Sequence, residues 1–268
     1  MTTEFLPQGY PFTLAMLRAL PAGLLLLLLV KVLPGRDWWG RILLLGALNF
    51  SVFWFFLFVA AYRLPGGVAA TLGAIQPLIV LGLAAVFLRT QIKVSSLCGA
   101  ALGLVGVAVL VLTPEANFDP IGVLAAIGGA CSMAAGTVLS RKWQPPVSLT
   151  AFTAWQLVAG GAMLLPFSLW LEPPLPPFTG PNILGLIYMG LIGAAITYLL
   201  WFRGIATLGP TAISTLGFLS PITALLLGWI VLDQSLSALQ VSAIAVVITG
   251  IVISQQSEPV SQPKSVTA

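Results

Sequence analysis

Two prolines lie near the middle of long apolar runs, and each follows a polar residue. The pairs are Gln76-Pro77 and Ser220-Pro221. Proline has no backbone N–H, so it leaves a carbonyl of the preceding helical turn without its usual donor. Inside a membrane, such a carbonyl is tolerated only where protein or a cavity surrounds it. The pattern predicts ligand binding at both prolines, and a purely structural kink is the alternative.

Hydroxyl and amide groups near the prolines could bind the same ligand. Thr71 precedes Pro77 by six residues, and Thr215 precedes Pro221 by the same distance. A hydroxyl inside a helix often donates to a carbonyl of its own helix, and this interpretation is favoured for both threonines. Gln76 is a stronger candidate for ligand contact, because an amide costs more free energy to bury without partners.

A second set of candidates combines aromatic rings with side-chain amides. Its members are Asn49, Trp54, Trp155, Gln156 and Tyr198, and also Trp201, for which a place at the membrane interface is favoured. A cavity with aromatic walls and a few amides suits a planar or amphiphilic metabolite. For any single aromatic residue the alternative is a place in the interfacial belt of a membrane protein. Trp54 and Trp155 lie deeper in their apolar runs, which favours the cavity for these two.

Arg18 lies clearly inside an apolar run, where its charge could attract a carboxylate or a phosphate. It is about two helical turns from the end of that run, roughly 10 Å at 1.5 Å per residue. Its guanidinium could therefore extend to the membrane surface, and this second interpretation is favoured. Asp233, at the end of another run, is the nearest candidate for a proton-carrying carboxylate, although a topology or capping role is favoured.

Other kinds of site chemistry are missing from the sequence. It has no histidine, and its two cysteines, Cys98 and Cys131, lie in separate apolar runs. Histidine-based zinc sites, Ser-His triads and histidine proton relays are therefore excluded. Paired carboxylates and activated nucleophiles at a shared depth are also missing. We predict a protein that is not an enzyme and that holds neither a metal nor a cofactor.

Composition decides which elements can position these residues. Of the 268 residues, 59% are hydrophobic and 7% are charged, and the mean hydropathy is +1.06. Soluble domains carry about 25% charged residues. A chain this apolar needs lipid as its solvent. In lipid, helices satisfy the hydrogen bonds of the backbone N–H and C=O groups. We therefore predict an all-α, polytopic membrane protein.

Nine apolar runs have the length needed to cross a bilayer, which takes about 20 residues. They cover 11–33, 40–62, 66–88, 94–112, 121–140, 148–170, 182–203, 209–231 and 236–254. In the fourth run, Gly99-x-x-x-Gly103 followed by Gly106 predicts a close contact with another helix. The tail 255–268 is polar and predicted to be disordered.

The basic residues lie mostly on one side of the nine runs. That side has nine Lys or Arg residues, and the other side has one, Arg63. By the positive-inside rule the first side is cytoplasmic. With nine spans, the C-terminus is then cytoplasmic and the N-terminus outside. The basic residues occur singly or in pairs, which excludes the stripe that a nucleic-acid-binding surface requires.

The chain repeats itself at an offset of 144 residues. Thr71–Pro77 matches Thr215–Pro221, and Trp54 matches Tyr198. The second, third and fourth runs therefore correspond to the seventh, eighth and ninth, and a weaker match relates the first run to the sixth. Repeats of this period indicate two structural units of the same design.

The fifth run, 121–140, has no partner in the first half. The simplest explanation is a ten-helix design whose first helix is absent, either through a truncated gene start or in a nine-helix variant. The repeats are then 1–114, with four of five helices, and 115–254, with five. Arg89 falls on the cytoplasmic side and its equivalent Asp233 on the outer side, so the repeats are predicted to be inverted, as in secondary transporters.

Several stretches resemble the drug/metabolite transporter superfamily, in particular its EamA-type members. They are Leu17–Ala19, Ala154–Leu157, the runs with Pro77 and Pro221, and Leu232-Asp233, where family members usually have Glu. The stretches Arg63–Gly67, Arg141–Pro146 and Leu171–Pro174 are more similar still to the PecM-like subgroup. The resemblance covers nearly the whole chain. It implies two five-helix halves, efflux of small metabolites, and a cytoplasmic N-terminus for the ten-helix form.

These observations predict an exporter of small metabolites that works by alternating access in a bacterial cytoplasmic (inner) membrane. The substrate class is amino acids, amines, and drug-like or pigment-type compounds. The predicted partners are this small-molecule substrate and the lipid bilayer, with no nucleic acid, and a homodimer stays open. The competing interpretation is a truncated, non-transporting membrane protein: a relic, a sensor or a partner-dependent subunit. A membrane enzyme is a weaker third interpretation.

Overall fold

The structure is a computed structural model that describes residues 9–111, 119–232 and 237–256. Most of the predicted tail, 257–268, lies outside these residues, and so does Asp233. Within them the chain is helical and contains no strand. The predicted all-α fold is confirmed within these residues. Such a fold suits a membrane, because a backbone in lipid must satisfy its hydrogen bonds within each helix.

Thirteen α-helices account for most of the described residues. In chain order, α1 to α13 are Pro11–Val30, Trp39–Gly46, Val52–Arg63, Gly66–Gly73, Gln76–Leu88, Val94–Val111, Pro120–Lys142, Leu149–Leu171, Gly180–Gly190, Thr197–Thr207, Pro210–Leu216, Leu219–Leu232 and Ala238–Gln255. A 3-10 turn, Arg36–Trp38, precedes α2. Two π-helical segments make two pairs of these helices continuous: Ala47–Ser51 joins α2 to α3, and Leu191–Ile196 joins α9 to α10.

Seven stretches of the described chain are helical, long and apolar enough to cross a membrane. They are Pro11–Val30, Arg36–Arg63, Gly67–Leu88, Pro120–Lys142, Leu149–Leu171, Gly180–Thr207 and Ala238–Gln255. Val94–Leu110 is a shorter apolar helix. The eighth predicted run, 209–231, contains two helices, α11 and α12. Helix therefore occurs in each predicted run, and seven runs meet the length and composition expected of a span.

Two of the predicted runs contain interrupted helices. The helix α4 ends at Gly73 and α5 begins at Gln76, so Pro77 lies in the first turn of α5. In the same way α11 ends at Leu216, and α12 begins at Leu219. Proline is well suited to the first turn of a helix, because the amide hydrogens of that turn have no partner within the helix.

Side chains at the connections decide where several helices begin. Thr179 and Asn182 form a reciprocal capping box at the start of α9, and Ser237 and Gln240 form another at the start of α13. Each box satisfies two backbone N–H groups that the first helical turn leaves without partners. These two connections thus carry polar groups that begin the helix that follows.

The described chain forms two compact units. Unit 1 consists of residues 1–58 and 143–203. Its central pair is α1 and α8, which run antiparallel and pack closely through glycines. A Cβ atom on Gly23 would lie 2.7 Å from the backbone nitrogen of Val158, and one on Gly161 would lie 2.8 Å from that of Leu20. Glycine is needed at these positions because the two backbones approach so closely.

Glu172, just after α8, ties that helix to the start of α1. Its carboxylate accepts hydrogen bonds from the backbone N–H groups of Phe12 and Thr13, at 2.6 and 2.8 Å. A carboxylate at this place satisfies two unpaired donors and interacts favourably with the positive end of the helix dipole. These two hydrogen bonds fix the relative position of α1 and α8 within unit 1.

Unit 2 consists of residues 59–142 and 204–268. Its closest helix pair is α6 and α13, and both helices have 18 residues. The predicted glycine contact is confirmed, because a Cβ atom on Gly99 would lie 2.5 Å from the backbone nitrogen of Ser254. Gly106 faces Val247 in the same pair. The residue numbers of the contacting positions rise along α6 and fall along α13, so the two helices run antiparallel.

Both units combine segments from the two halves of the sequence. Each includes part of 1–114 and part of 115–254, the predicted repeats. The helices α3 and α10 each contribute residues to both units, since the unit boundaries fall after Phe58 and after Arg203. The compact units therefore do not coincide with the predicted repeats.

Candidate functional site

The predicted site residues are divided equally between the two units. Unit 1 has Arg18, Asn49, Trp54, Trp155, Gln156 and Tyr198, and unit 2 has Thr71, Gln76, Pro77, Thr215, Ser220 and Pro221. Each group includes a side-chain amide, and each includes residues in or next to an irregular part of a helix.

In unit 1, Asn49 and Gln156 form a fully buried amide pair. The Nδ2 atom of Asn49 donates to Oε1 of Gln156 at 2.8 Å, and neither residue has any exposed surface. Asn49 lies in the first π segment, and Gln156 lies in α8. Ser51, from the same π segment, donates to the carbonyl of Gly160 in α8 at 2.8 Å. The π segment is therefore held against α8 by polar bonds.

An aromatic cluster in unit 1 brings together Trp54 and Tyr198, the residues that match at the 144-residue offset. Both are buried, and Phe50 lies between them. The ring centroid of Phe50 is 5.6 Å from that of Trp54, in a T-shaped arrangement, and 4.5 Å from that of Tyr198. Such contacts favour one packing of the rings. Tyr198 also lies near Phe202, with ring centroids 6.2 Å apart.

Arg18 borders this aromatic cluster. Its guanidinium carbon lies 5.6 Å from the centre of the Trp54 ring, within the range of a cation–π interaction. Its Nε and Nη2 atoms donate to the carbonyl of Gly193 in the second π segment, the Nε bond at 3.1 Å. Within the residues that the structure describes, no carboxylate forms an ion pair with Arg18. Its positive charge is therefore next to neutral groups.

Trp155 is bound to the end of α1. Its indole N–H donates to the carbonyl of Val32 at 2.7 Å, just beyond the last residue of that helix. The ring also lines an apolar cavity of about 320 Å³ together with Trp39 and Ile42. Trp155 thus contacts a helix end, whereas the predicted partner Trp54 packs against Phe50.

In unit 2, Gln76 begins the helix that follows the first interruption. Its Nε2 atom is buried and has no hydrogen-bond partner within the described part of the chain. Pro77, the next residue, is buried and cannot donate to the carbonyl of Gly73. An unpaired buried amide costs about 1–3 kcal/mol. Gln76 is therefore the predicted site residue of unit 2 with a buried polar atom that a ligand could satisfy; Thr137 and Ser254 in the same unit also have one.

The remaining candidates of unit 2 have other surroundings. Thr71 donates to the carbonyl of Gly67 at 2.9 Å, and Thr215 donates to that of Ala212 at 2.9 Å. These are the bonds to the own helix that the sequence favoured. Ser220 is exposed, and Pro221 is partly buried in the first turn of α12. These four residues show no convergence on a shared polar site.

Sequence reasoning missed Phe50, the ring at the centre of the aromatic cluster. It precedes Trp54 by four residues, and residues four apart lie on the same face of a helix. That spacing could have identified it. Gly193, whose carbonyl binds Arg18, had no such indication, because any residue provides a carbonyl. Among the described residues no group of three or more His, Cys, Asp or Glu could hold a metal ion.

Comparison with known proteins gives a consistent result. The EamA-like transporter family matches residues 1–112 and 120–255. Protein PecM of Dickeya dadantii is 41% identical over 268 residues, covering 99% of this chain and 90% of that protein. The WAT1-related protein At3g02690, chloroplastic, of Arabidopsis thaliana is 30% identical and covers 92% of this chain and 63% of its own length.

More distant relatives include the uncharacterized inner membrane transporter YedA of Escherichia coli, which is 28% identical over 91% of this chain and 81% of its own length. A solved crystal structure has the same fold, with a TM-score of 0.82. It covers 94% of this chain and 91% of that chain at 22% sequence identity. At this identity the likeness concerns the fold alone.

Proposed function

The chain belongs to the EamA-like transporter family, and from this premise we propose that it exports small metabolites across a bacterial cytoplasmic membrane by alternating access. Family membership makes it a multi-pass membrane transporter of the drug/metabolite type, similar to PecM. The direction of transport, the substrate class and the mechanism are the content of the proposal.

The observation that carries the proposal is the recurrence of two interrupted helices. The break between α4 and α5 and the break between α11 and α12 lie 144 residues apart, to within one residue. In secondary transporters, broken helices at equivalent places of two repeats surround the substrate site. The recurrence supports the repeat arrangement on which alternating access depends.

The π segments and the glycine-packed helices support the same repeat. Ala47–Ser51 and Leu191–Ile196 begin 144 residues apart, and so do α6 and α13. Because α6 and α13 pack antiparallel, equivalent helices point in opposite directions. This is the relation expected of inverted repeats, in which two similar states, one open to each side, have comparable free energies.

The proposed substrate class is inferred from the buried aromatic cluster of unit 1 and from Arg18, which borders it. Aromatic rings offer flat apolar contact, and Arg18 places one positive charge at their edge. A planar or amphiphilic compound with a carboxylate would match both features. Amino acids and many pigment-type and drug-like compounds have this chemistry. Amines remain in the predicted substrate class but would gain nothing from Arg18.

The proposed topology follows the charge distribution. Nine spans with a cytoplasmic C-terminus place the basic connections on the cytoplasmic side, as the positive-inside rule requires. The lipid bilayer and a small-molecule substrate are then the partners of the chain. No nucleic acid and no catalysis are proposed, and a homodimer is open to measurement.

The test measures export from cells and from proteoliposomes with a panel of labelled amino acids, amines and aromatic metabolites. Export of at least one compound is expected from the wild type. Arg18→Gln should reduce it about tenfold or more for an anionic substrate, because a charge-assisted bond is lost, and Arg18→Lys should retain part of it. Trp54→Ala should also impair export.

Matched controls exist for both substitutions. Arg36→Gln removes an exposed charge, and Trp170→Ala removes an indole that is 84% exposed, compared with 3% for Trp54. Both controls should transport like the wild type. A correctly folded protein that exports no compound of the panel would contradict the proposal and favour a non-transporting membrane protein.

A further inference from the structure

Unit 2 contains a cavity of about 700 Å³ at the ends of several helices. Its walls come from the end of α5, the connection 89–93, the start of α6, the end of α7 and the turn before α11. The volume is within the range of small-molecule sites, about 300–1,000 Å³. None of the twelve predicted site residues lines it.

Three cationic side chains, Lys93, Arg141 and Lys142, border this cavity, and among the described residues no carboxylate does. Arg141 donates from Nη1 to the carbonyl of Ala206. The Nζ atom of Lys142 lies 5.2 Å from the centre of the Phe87 ring. Both contacts are with neutral groups, so neither compensates the positive charge. Cations gathered around a concave surface raise the local concentration of anions.

The cavity also has an apolar wall and hydroxyl groups. The side chains of Leu81, Ala84 and Phe87 form an apolar wall along α5. Leu88, and Leu208 just after α10, add to this wall. Polar side chains border the cavity as well, namely Thr90, Gln91, Ser96 and Thr211. A ligand that satisfies both parts must combine an anionic group with an apolar portion. Inorganic anions alone would leave the leucine-rich wall in contact with water.

We propose that this cavity binds the phosphate group of an amphiphilic phosphate ester, such as the headgroup of an anionic phospholipid. The basic helix ends that form it belong to the side that the proposed topology assigns to the cytoplasm. Basic pockets between helices at that membrane surface favour anionic lipid headgroups. The binding lies within unit 2 and is independent of whether the chain exports any metabolite.

The experiment uses the full chain in a non-ionic detergent and measures the thermal unfolding midpoint against three probes. They are phosphatidylglycerol, phosphatidylcholine with the same acyl chains, and glycerol 3-phosphate. Wild type should be stabilised by phosphatidylglycerol and not by phosphatidylcholine. The double variant Arg141→Gln/Lys142→Gln should bind about 25-fold more weakly, at about fivefold for each charge removed.

The double variant Lys31→Gln/Arg36→Gln is the matched control. It removes the same charge from exposed residues on the same predicted side, and neither residue lines the cavity. It should keep the wild-type response to phosphatidylglycerol. Because Arg141 has a structural bond to Ala206, the single variant Lys142→Gln is measured as well, together with gel-filtration profiles without lipid.

Each outcome decides the proposal. Stabilisation by phosphatidylglycerol that is lost in the cavity variants supports it and identifies lipid as the source of the phosphate. Stabilisation by glycerol 3-phosphate that is lost in the same variants supports the phosphate site with a soluble source. The proposal is overturned if neither probe stabilises the wild type. It is also overturned if folded cavity variants respond like the control.

Discussion

A buried amide needs a hydrogen-bond partner, and Asn49 and Gln156 provide one for each other. The bond joins the first π segment to α8, so it serves the packing of unit 1. An amide that is already bonded can still contact a substrate with its second polar atom. The pair therefore positions the segment that carries Phe50 as well as offering polar groups.

Replacement of one amide by leucine should destabilise the protein. Asn49→Leu or Gln156→Leu removes one partner of a bond at zero exposure, at an expected cost of about 1–3 kcal/mol. The measurement is the free energy of unfolding in detergent, followed by circular dichroism. The double variant should lose less than the sum of the single losses.

The difference between the double variant and that sum isolates the pair. A coupling of about 1 kcal/mol is expected for a buried bond of 2.8 Å. Thr153→Val, a substitution at a buried hydroxyl of α8 that bonds its own helix, is the control and should not couple to Asn49. Strict additivity of Asn49→Leu and Gln156→Leu would contradict the assignment.

The candidate site residues were chosen from the sequence alone, and their contacts were predictable in part. The hydroxyl groups of Thr71 and Thr215 donate to backbone carbonyls of their own helices, because such a carbonyl is always within reach. The partners of Asn49 and Arg18 were not predictable. They depend on which helices pack together, and a hydrophobic pattern without polar periodicity does not encode that choice.

At the scale of elements, the α6–α13 contact depends on glycine. Gly250→Ala would place a Cβ atom 2.6 Å from the backbone nitrogen of Gly103 and 2.7 Å from the carbonyl oxygen of Gly99. Backbone cannot yield as a flexible side chain does, so the helices must separate. The expected loss is about 1–3 kcal/mol of unfolding free energy, measured in detergent.

Gly82→Ala is the matched control for this substitution. Gly82 lies in α5, and a Cβ atom on it would have nothing within 4 Å. Alanine has the better helix propensity by about 1 kcal/mol, so this variant should be as stable as wild type or more so. Equal effects of the two substitutions would mean that the glycine contact does not hold α6 and α13 together.

The start of α7 should respond to pH through Asp119. Its Oδ1 atom accepts from the N–H of Gly122 at 2.8 Å, which lowers the pKa of this carboxyl below its ordinary value of 3.8; Arg63 nearby acts in the same direction. A lowered folded-state pKa stabilises the fold above the unfolded-state pKa, and this contribution is lost as pH falls through the folded-state value.

Asp119→Asn keeps an acceptor for the cap and removes the titration. Wild type should be the more stable of the two at pH 7, and the difference in unfolding midpoint should shrink as pH falls below about 4. The midpoints are compared across pH 3 to 7 in one detergent. A difference that stays constant over this range would argue against a charged cap at Asp119.

The positions of the helices follow from the apolar runs, but their irregularities do not. Each run has enough apolar residues for a helix, and turn-forming residues separate the runs. The first interruption occurs at Ala74 and Ile75, before Pro77, because proline favours the first turn of a new helix. The π segments have no sequence signature, since hydropathy is the same for an α turn and a π turn.

At the scale of the whole molecule, the proposed nine-span topology makes a simple prediction. Reporter proteins fused to the two ends of the chain should report opposite sides, with the C-terminus in the cytoplasm and the N-terminus outside. The physical reason is the excess of basic residues in the connections on one side. Alkaline phosphatase and green fluorescent protein are the paired reporters, since each is active on one side only.

A control fusion after Lys142 tests the middle of the chain and should also be cytoplasmic. Both termini on the same side would show that the number of spans is even. One of the nine helical regions would then lie outside the membrane core, and the discontinuous pair α11 and α12 would be the first to re-examine.

The composition of the two compact units was not predictable from the sequence. Internal sequence similarity groups residues by their place in a repeat, and it predicts the halves 1–114 and 115–254. Packing groups residues by contact, and each unit draws on both halves. Nearly uniform hydrophobicity leaves the choice of neighbours to glycine contacts and a few polar bonds, which have no recognisable pattern before the partners are known.

The two π segments have a consequence for insertions and deletions in this chain. A π turn contains one residue more than an α turn, so the extra residue is absorbed locally while the flanking helices keep their faces. Loss of one residue from Ala47–Ser51 would restore an unbroken α-helix from Trp39 to Arg63. A deletion elsewhere in that helix would instead rotate every later side chain by about 100°, one residue's share of a turn. These segments are therefore where a change in length leaves the packing of both flanking helices intact.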